Sequence, residues 1–288
     1  AEDDCRPVDI FEILLKNRLT FFAKKCKMNR MSGFRAYHNF ANSAAQVGDT
    51  FELSADESRH LCGSLRAAEN SAVDAFDLGG AIRRCRLERA DGKRALLRVE
   101  QILPRPRRAA DIYLLQCLPK GRTFDDIIRQ SVELGAAGIV PIMSRFSQVR
   151  LDPSEAERKR EKWLTQVVEA VKQSSNFSGF EIAIPTKFDA ALDFAENFDL
   201  KIVASLEPDA ARISALFKSA AAAATAPLRR VAVLIGPEGD MSADEYSAAR
   251  SRGFKPMTLG DNVLKSETAA ISAIAQIKAA LDFVSDGD

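Results

Sequence analysis

The chain has 288 residues, 46% hydrophobic and 28% charged, with a net charge of +1, the make-up of a soluble globular protein of one large or two moderate domains. No run reaches the ~20 apolar residues of a membrane-spanning helix, and five scattered cysteines without C-x-x-C spacing point to reduced thiols in a cytoplasmic protein rather than to disulfides or zinc. His38 and His60 are the only histidines, so a histidine metal site or a Ser-His-Asp triad has almost nothing to be built from, and metal-free, non-hydrolytic chemistry is the expectation.

Residues 1–33 read as an extension to the domains: a short apolar patch from Ile10 to Leu15 precedes Lys24, Lys25 and Lys27. That order is wrong for a secretory signal. An over-long start, with Met28 or Met31 as the true one, a functional extension and an amphipathic targeting helix are the open alternatives. Residues 34–104 carry short apolar runs bounded by Gly, Asp and Asn, which predicts a small β-rich domain with strands at Thr50–Leu53, Ala72–Leu78, Ile82–Leu87 and Ala95–Ile102. Asp91-Gly92 signals a hairpin between the last two, and Ser54 with Glu57 signals a helix start running to Leu65. Up to Ala110 the chain has 20 basic and 15 acidic residues, against 21 and 25 beyond it, an asymmetry that suits an anionic partner for the front half.

Leu103-Pro-Arg-Pro-Arg-Arg108 breaks the periodicity and marks a boundary; its arginines read as a solvated linker or as contacts to an RNA backbone. From about residue 110 to 285, strands alternate with longer helical patterns, predicting an α/β domain with a mainly parallel sheet. The strands are expected at Ile112–Leu118, Gly138–Ile142, Ile182–Pro185, Lys201–Ser205, Arg230–Ile235 and Lys255–Leu259. The helices are expected at Thr123–Leu134, Ser154–Ser174, Asp189–Glu196, Asp209–Ala223, Ser242–Arg252 and Glu267–Phe283.

Two segments concentrate the chemistry. Val231 to Ile235 runs straight into Gly236-Pro-Glu-Gly239, a strand that ends in a glycine-bracketed turn and so brings bare backbone to the carboxyl edge of a sheet, where α/β folds bind ligands. Neither G-x-G-x-x-G nor a Walker loop is present. The second is Leu259-Gly-Asp-Asn-Val-Leu-Lys-Ser-Glu-Thr-Ala-Ala270. Ser266 suits a helix cap and Glu267 a first turn, whereas Lys265 opposes the helix dipole and suits an anionic ligand.

Together these segments resemble the SPOUT methyltransferases, and the RsmE family in particular. Further matches are Leu118-Pro-Lys-Gly121, Glu133-Leu-Gly135, Ile139-Val-Pro141, Arg145, Trp163, Glu169-Ala170, Gln173-Ser174 and, in the front half, His60-Leu61 with Leu65-Arg66. The resemblance implies a PUA-like RNA-binding domain followed by an α/β knot domain with a C-terminal trefoil knot, a homodimer through the knotted domain, S-adenosylmethionine bound in bent form within the knot, and methylation of N3 of a uridine in small-subunit ribosomal RNA. It places the cofactor on Ser205, Leu206, Glu207, Gly236, Pro237, Glu238, Gly239, Leu259, Gly260, Leu264 and Thr268. RNA contacts fall to Arg66, Lys120, Arg122, Arg145 and Gln173. The imide proton must leave for N3 to attack, so a base or a cation at the uracil is required: Glu238 and Glu267 are unranked candidates for the first and Lys265 for the second. No metal and no membrane are implied. Ser131, Asn176 and Lys265 stand where the family carries Lys, Arg and Arg, and Asp240 where it carries a glycine. A divergent, non-catalytic RNA-binding or ribosome-assembly protein is the alternative.

Overall fold

In the computed structural model, residues 33–40, 45–223 and 226–285 are described; the readings for residues 1–32 lie outside them. Two sheets organise these residues. The first, in the order β1-β3-β4-β5-β2, is built from β1 (Phe34–Tyr37), β2 (Thr50–Glu52), β3 (Ala72–Phe76), β4 (Ile82–Arg89) and β5 (Leu96–Leu103). Alternate residues such as Val73, Cys85, Leu87, Leu97 and Val99 fill its core, as period-2 patterning requires. The strand β1 escapes the sequence reading. It pairs in parallel with β3, and its Arg35 sends a guanidinium N–H to the Lys172 carbonyl at 2.8 Å. The hairpin at Asp91-Gly92 is present, but its connection spans Ala90 to Ala95, with Asp91 accepting from the Lys93 N–H at 2.8 Å.

Ser54 accepts from the Glu57 N–H at 3.3 Å and starts α1 (Ala55–Ser58), which widens at once into a π-helical turn over Arg59–Ser64. Glu57 does not complete the expected capping box. Its carboxylate takes the Tyr37 N–H at 2.9 Å and the Lys172 ammonium at 2.6 Å, tying the first sheet to a long helix of the second half.

The second sheet is parallel in every pairing, in the order β12-β10-β11-β6-β7-β8, with β9 also on β7. Its strands are β6 (Asp111–Cys117), β7 (Gly138–Met143), β8 (Glu181–Ile182), β9 (Thr186–Lys187), β10 (Leu200–Ala204), β11 (Arg230–Ile235) and β12 (Lys255–Met257). The central β11 is buried on both faces: Val231, Val233 and Ile235 join one core, Ala232 and Leu234 the other, which is why it reads as one unbroken apolar run. Around the sheet lie α2 (Thr123–Leu134), α3 (Pro153–Ser174), α4 (Phe188–Phe194), α5 (Ile213–Ala223), α6 (Ala243–Ser251) and α7 (Ser266–Ser285). Reciprocal capping boxes, Asp152 with Glu155 and Ser242 with Glu245, fix the starts of α3 and α6. The helix α5 begins later than expected because Ala211 bridges to Met257 and keeps the chain extended. On α7, Ile274 and Ile277 are wholly buried in the core.

The sheets share packing through Phe76, Ile82 and Leu103, which join the core of the second half, with the Phe76 and Phe177 rings 5.0 Å apart. At the amino end of β7, a Cβ on Gly138 would sit 2.6 Å from the Glu181 carbonyl oxygen and 2.9 Å from a Tyr113 ring carbon. Gly138→Ala is therefore expected to force β8 from β7 and to cost about 1–3 kcal/mol, the usual penalty of overpacking. A urea midpoint that drops at constant slope is the check; an unchanged midpoint would show that the strands part freely.

Candidate active site

Three strand ends of the second sheet build one cavity of about 570 Å³. β10 delivers Ser205 and Leu206, β11 delivers Gly236 to Asp240, and the segment after β12 delivers Leu259, Gly260 and Asn262 to Ser266. This is the carboxyl edge of a parallel sheet, where strand-to-helix turns leave backbone groups facing a ligand. α7 returns from the edge of the sheet to its middle: the Ser266 hydroxyl donates to the Gly236 carbonyl at 2.8 Å and accepts from the Gln116 amide at 2.9 Å. Ser266 is thus a buried tie between α7, β11 and β6. The capping reading of its hydroxyl is corrected accordingly, since both hydroxyl bonds go to other elements.

The Gly236–Gly239 turn is held from two sides. Glu238 is exposed and accepts the Lys120 backbone N–H at 2.9 Å. Asp240 adopts a left-handed conformation, φ 61°, which suits a glycine and which Asp tolerates through local hydrogen bonds. Its Oδ1 accepts from the Met241 N–H at 2.8 Å and from the Tyr246 hydroxyl at 2.9 Å. Burial first, and then the Asp240 hydrogen bond and charge, push the Tyr246 phenol well above its ordinary value, so it stays a donor locking the turn. The far loop is open: among the described residues no hydrogen bond engages the backbone of Asn262, Val263 or Leu264, which leaves its donors and acceptors without a protein partner beside the cavity.

Of the residues expected at the cofactor, Ser205, Leu206, Gly236, Pro237, Glu238, Gly239, Leu259, Gly260 and Leu264 line this cavity. Glu207 and Thr268 do not. Glu207 turns outward to the Arg250 guanidinium, with its N–H on the Ser205 hydroxyl at 3.1 Å, and Thr268 is exposed on the first turn of α7. Lys265 is on the wall; Glu267, half-buried on α7, is not. Asn262 and Val263, inside the Leu259–Leu264 loop expected at the cofactor, line it too, as does Ile235 at the end of β11, whereas Ala204, Ala269 and Tyr246 do so without a cofactor role expected of them from the sequence. No motif marks Tyr246, whose place inside α6 reads as core packing.

The residues expected at RNA separate. Lys120 and Arg122 stand on the exposed loop after β6, beside Glu238. Arg145 holds Asp244 at 3.0 Å, and its neighbour Phe146 packs 3.6 Å from where a Cβ on Gly239 would lie. Arg66 and Gln173 are exposed and off the cavity wall. Of the arginines of the connecting segment only Arg108 needs correcting: its side chain is 11% exposed and donates to the Ser178 carbonyl at 3.1 Å, whereas Arg105, with its Nε on the same carbonyl at 3.0 Å, and Arg107 stay exposed. Ser131 and Asn176 are corrected too. Ser131 is fully buried, and Asn176 donates to the Val132 carbonyl at 2.7 Å while accepting from Ser178, so neither side chain sits on an exposed RNA path. Among the described residues no cluster of three or more His, Cys, Asp or Glu could hold a metal, and no helix is long and apolar enough to cross a membrane.

Comparison with known proteins agrees with this geometry. The family model described as an RNA methyltransferase domain matches residues 106–278. Ribosomal RNA small subunit methyltransferase E of Bacillus subtilis is 27% identical over 248 residues, 84% of this chain and 95% of that protein. The protein of the same name from Synechocystis is 30% identical over 238 residues, 81% of this chain and 74% of its own length. Among solved structures, ribosomal RNA small subunit methyltransferase E from Neisseria gonorrhoeae, bound to S-adenosyl methionine, superposes with a TM-score of 0.74 at 26% identity, over 87% of this chain and 98% of that one. A Legionella pneumophila methyltransferase with bound cofactor SAM gives a TM-score of 0.75 at 27% identity, with the same coverage. The matched residues contain all three cavity-building strand ends, and the chain belongs to the RNA methyltransferase family and, within it, to the ribosomal RNA small subunit methyltransferase E family.

Proposed function

We propose that this chain transfers a methyl group from S-adenosylmethionine to N3 of a uridine in small-subunit ribosomal RNA. The observation that carries the reading is the cavity at the carboxyl edge of the parallel sheet, where an exposed carboxylate, Glu238, is fixed on the wall by the Lys120 N–H. Its residues fit the cofactor. Leu206, Pro237, Leu259, Val263 and Leu264 offer apolar walls for a purine, and the open backbone of Asn262 to Leu264 offers the hydrogen bonds a purine edge needs.

The cofactor supplies an electrophilic methyl group on a sulfonium. The protein's own work is to present the uracil edge in line with it and to take the imide proton. Glu238 is the better placed of the two carboxylates: one oxygen is occupied by the Lys120 N–H, and the other is free to accept the N3 proton. Lys265, on the same wall, stabilises the negative charge that spreads to the uracil oxygens. Glu267 serves the first turn of α7, where the helix dipole favours an anion.

The reading extends to the rest of the molecule: residues 34–104 as a PUA-like RNA-binding domain, residues 110–285 as the methyltransferase domain, and a trefoil knot at its end. Support for the knot is the path of the chain from edge strand β12 back to Gly236 and Gln116 through Ser266. Exposed Leu206, Val263 and Phe146 around the cavity support a homodimer formed through this domain. The natural setting is the cytoplasm, where ribosomal subunits are assembled. A non-catalytic alternative would need the changes at Ser131 and Asn176 to have removed RNA contacts, but Ser131 is fully buried and the half-buried Asn176 is bonded to the Val132 carbonyl.

Incubation with labelled S-adenosylmethionine and small ribosomal subunits lacking the modification is expected to place label on one uridine, at N3. Label on another base or atom would refute the assigned target, and cofactor binding without any transfer would refute catalysis.

A further inference from the structure

The loop that fixes Glu238 has a second face. Leu118, Pro119, Gly121 and Arg122 form one wall of a separate cleft of about 330 Å³, whose other wall is the first half of α3. Phe124 and Trp163, almost wholly buried with ring centroids 4.5 Å apart, back its apolar floor, which the half-buried Val149 and Leu151 complete. Four cations stand round it: Arg122 from the loop, and Arg158, Lys159 and Lys162 exposed along α3. Among the described residues none of the four makes an ion pair. Lys159 lies over the Trp163 ring, 5.9 Å from its centroid. Two acids also reach the cleft, Asp125 and Glu155, but Glu155 is committed to the Asp152 N–H at 3.1 Å in the α3 capping box.

A net positive charge, four cations against two acids, around an apolar floor suits a polyanion that carries flat, weakly polar groups, which is single-stranded nucleic acid. An acidic protein segment would satisfy the charges but has no bases for the floor. The Lys120 N–H on Glu238 makes the cleft and the cofactor cavity neighbours across one short loop. We propose that this cleft holds the single-stranded ribosomal RNA flanking the target nucleotide, with Arg158, Lys159 and Lys162 on its phosphates, so that the strand is delivered across the Leu118–Arg122 loop to Glu238. The proposal rests on the methyltransferase reading and deepens it: Arg122 is visible as an RNA residue in the sequence, whereas the three cations on α3 are not.

The test is a triple variant, Arg158→Gln, Lys159→Gln and Lys162→Gln, at three exposed helix positions where substitution leaves the core intact. The probe is a small-subunit ribosomal RNA transcript, titrated by fluorescence anisotropy over a salt series, with methyl transfer and cofactor calorimetry in parallel. Loss of three phosphate contacts is expected to weaken RNA binding about tenfold or more and to shrink the slope of log K against log salt by about 2. KM for RNA rises, while kcat at saturating RNA and cofactor affinity stay put. Lys218→Gln, on exposed α5, is expected to change none of these. An unaltered slope and KM in the triple variant would overturn the proposal even if the wild-type protein methylates normally, as would tighter binding of an acidic peptide than of the transcript. A reduced slope in a protein that transfers no methyl group would sustain the cleft and sink the methyltransferase reading instead.

Discussion

Glu238→Gln is expected to lower the rate of methyl transfer by about 10²- to 10⁴-fold, the usual worth of a positioned general base, and to leave cofactor affinity intact. The amide keeps the carboxylate's shape and can still accept the Lys120 N–H seen at 2.9 Å, so the Gly236–Gly239 turn should hold its place. What it loses is the basic oxygen for the N3 proton. Ionisation of the uracil by hydroxide bypasses that loss, so the deficit should narrow as pH rises. A merely structural defect would persist at every pH. Glu267→Gln, altering a residue off the cavity wall, is expected to cost far less. Single-turnover rates across pH decide the matter: a fully active Glu238→Gln, or a larger and pH-independent loss in Glu267→Gln, would remove Glu238 from the role of base.

The division between Glu238 and Glu267 shows what the sequence carried and what it did not. Both carboxylates follow strand ends in motifs rich in small residues, and only the three-dimensional path of the chain puts one on the wall and the other on a helix turn. The doubly buried β11 and the capped starts of α3 and α6 were legible because their physics is local: an unbroken apolar run, or an acid three residues after its cap. The strand β1 was not, because a partner nearly forty positions along the chain creates it. The burial of Ser131 is legible in the sequence. The residue continues the stripe of Phe124, Ile127 and Ile128 on α2 at helical spacing, and that spacing alone places it inside. Tyr246 had no such sign, because a tyrosine turned toward a cavity and one turned toward the core look alike in a helical pattern. Glu207 failed for a related reason: its neighbours Ser205 and Leu206 reach the cavity, but Arg250 on α6 draws its side chain away.

The largest effect on stability is expected from Arg108→Met, about 3 kcal/mol, the scale for stripping a buried cation from its partners. The Arg108 side chain is 11% exposed and joins separate stretches of chain. Its Nε donates to the Gly135 carbonyl at 3.1 Å, one Nη to the Ser178 carbonyl at 3.1 Å, and the other to the carbonyls of Ala136, at 3.2 Å, and Gly179. Asp111, half exposed, adds a contact at 3.3 Å. Burial lowers the guanidinium's proton affinity, partly offset by Asp111, so desolvation is the dominant electrostatic fact about this side chain and the carbonyls are what compensate it. Methionine keeps much of the volume and removes the guanidinium donors from the Gly135, Ala136 and Gly179 carbonyls, while the Ser178 carbonyl keeps Arg105. Arg108→Lys keeps the charge but offers a compact ammonium where a planar fork reaches several carbonyls, so an intermediate loss is expected. Asp111→Asn should cost under about 1 kcal/mol, as for an exposed pair. Urea midpoints for the three variants give the order directly. Equal stability in all three, with RNA affinity reduced in Arg108→Met alone, would return this arginine to the RNA surface; the expected order makes it the fastening by which the connecting segment is anchored to the ends of α2, α3 and β6.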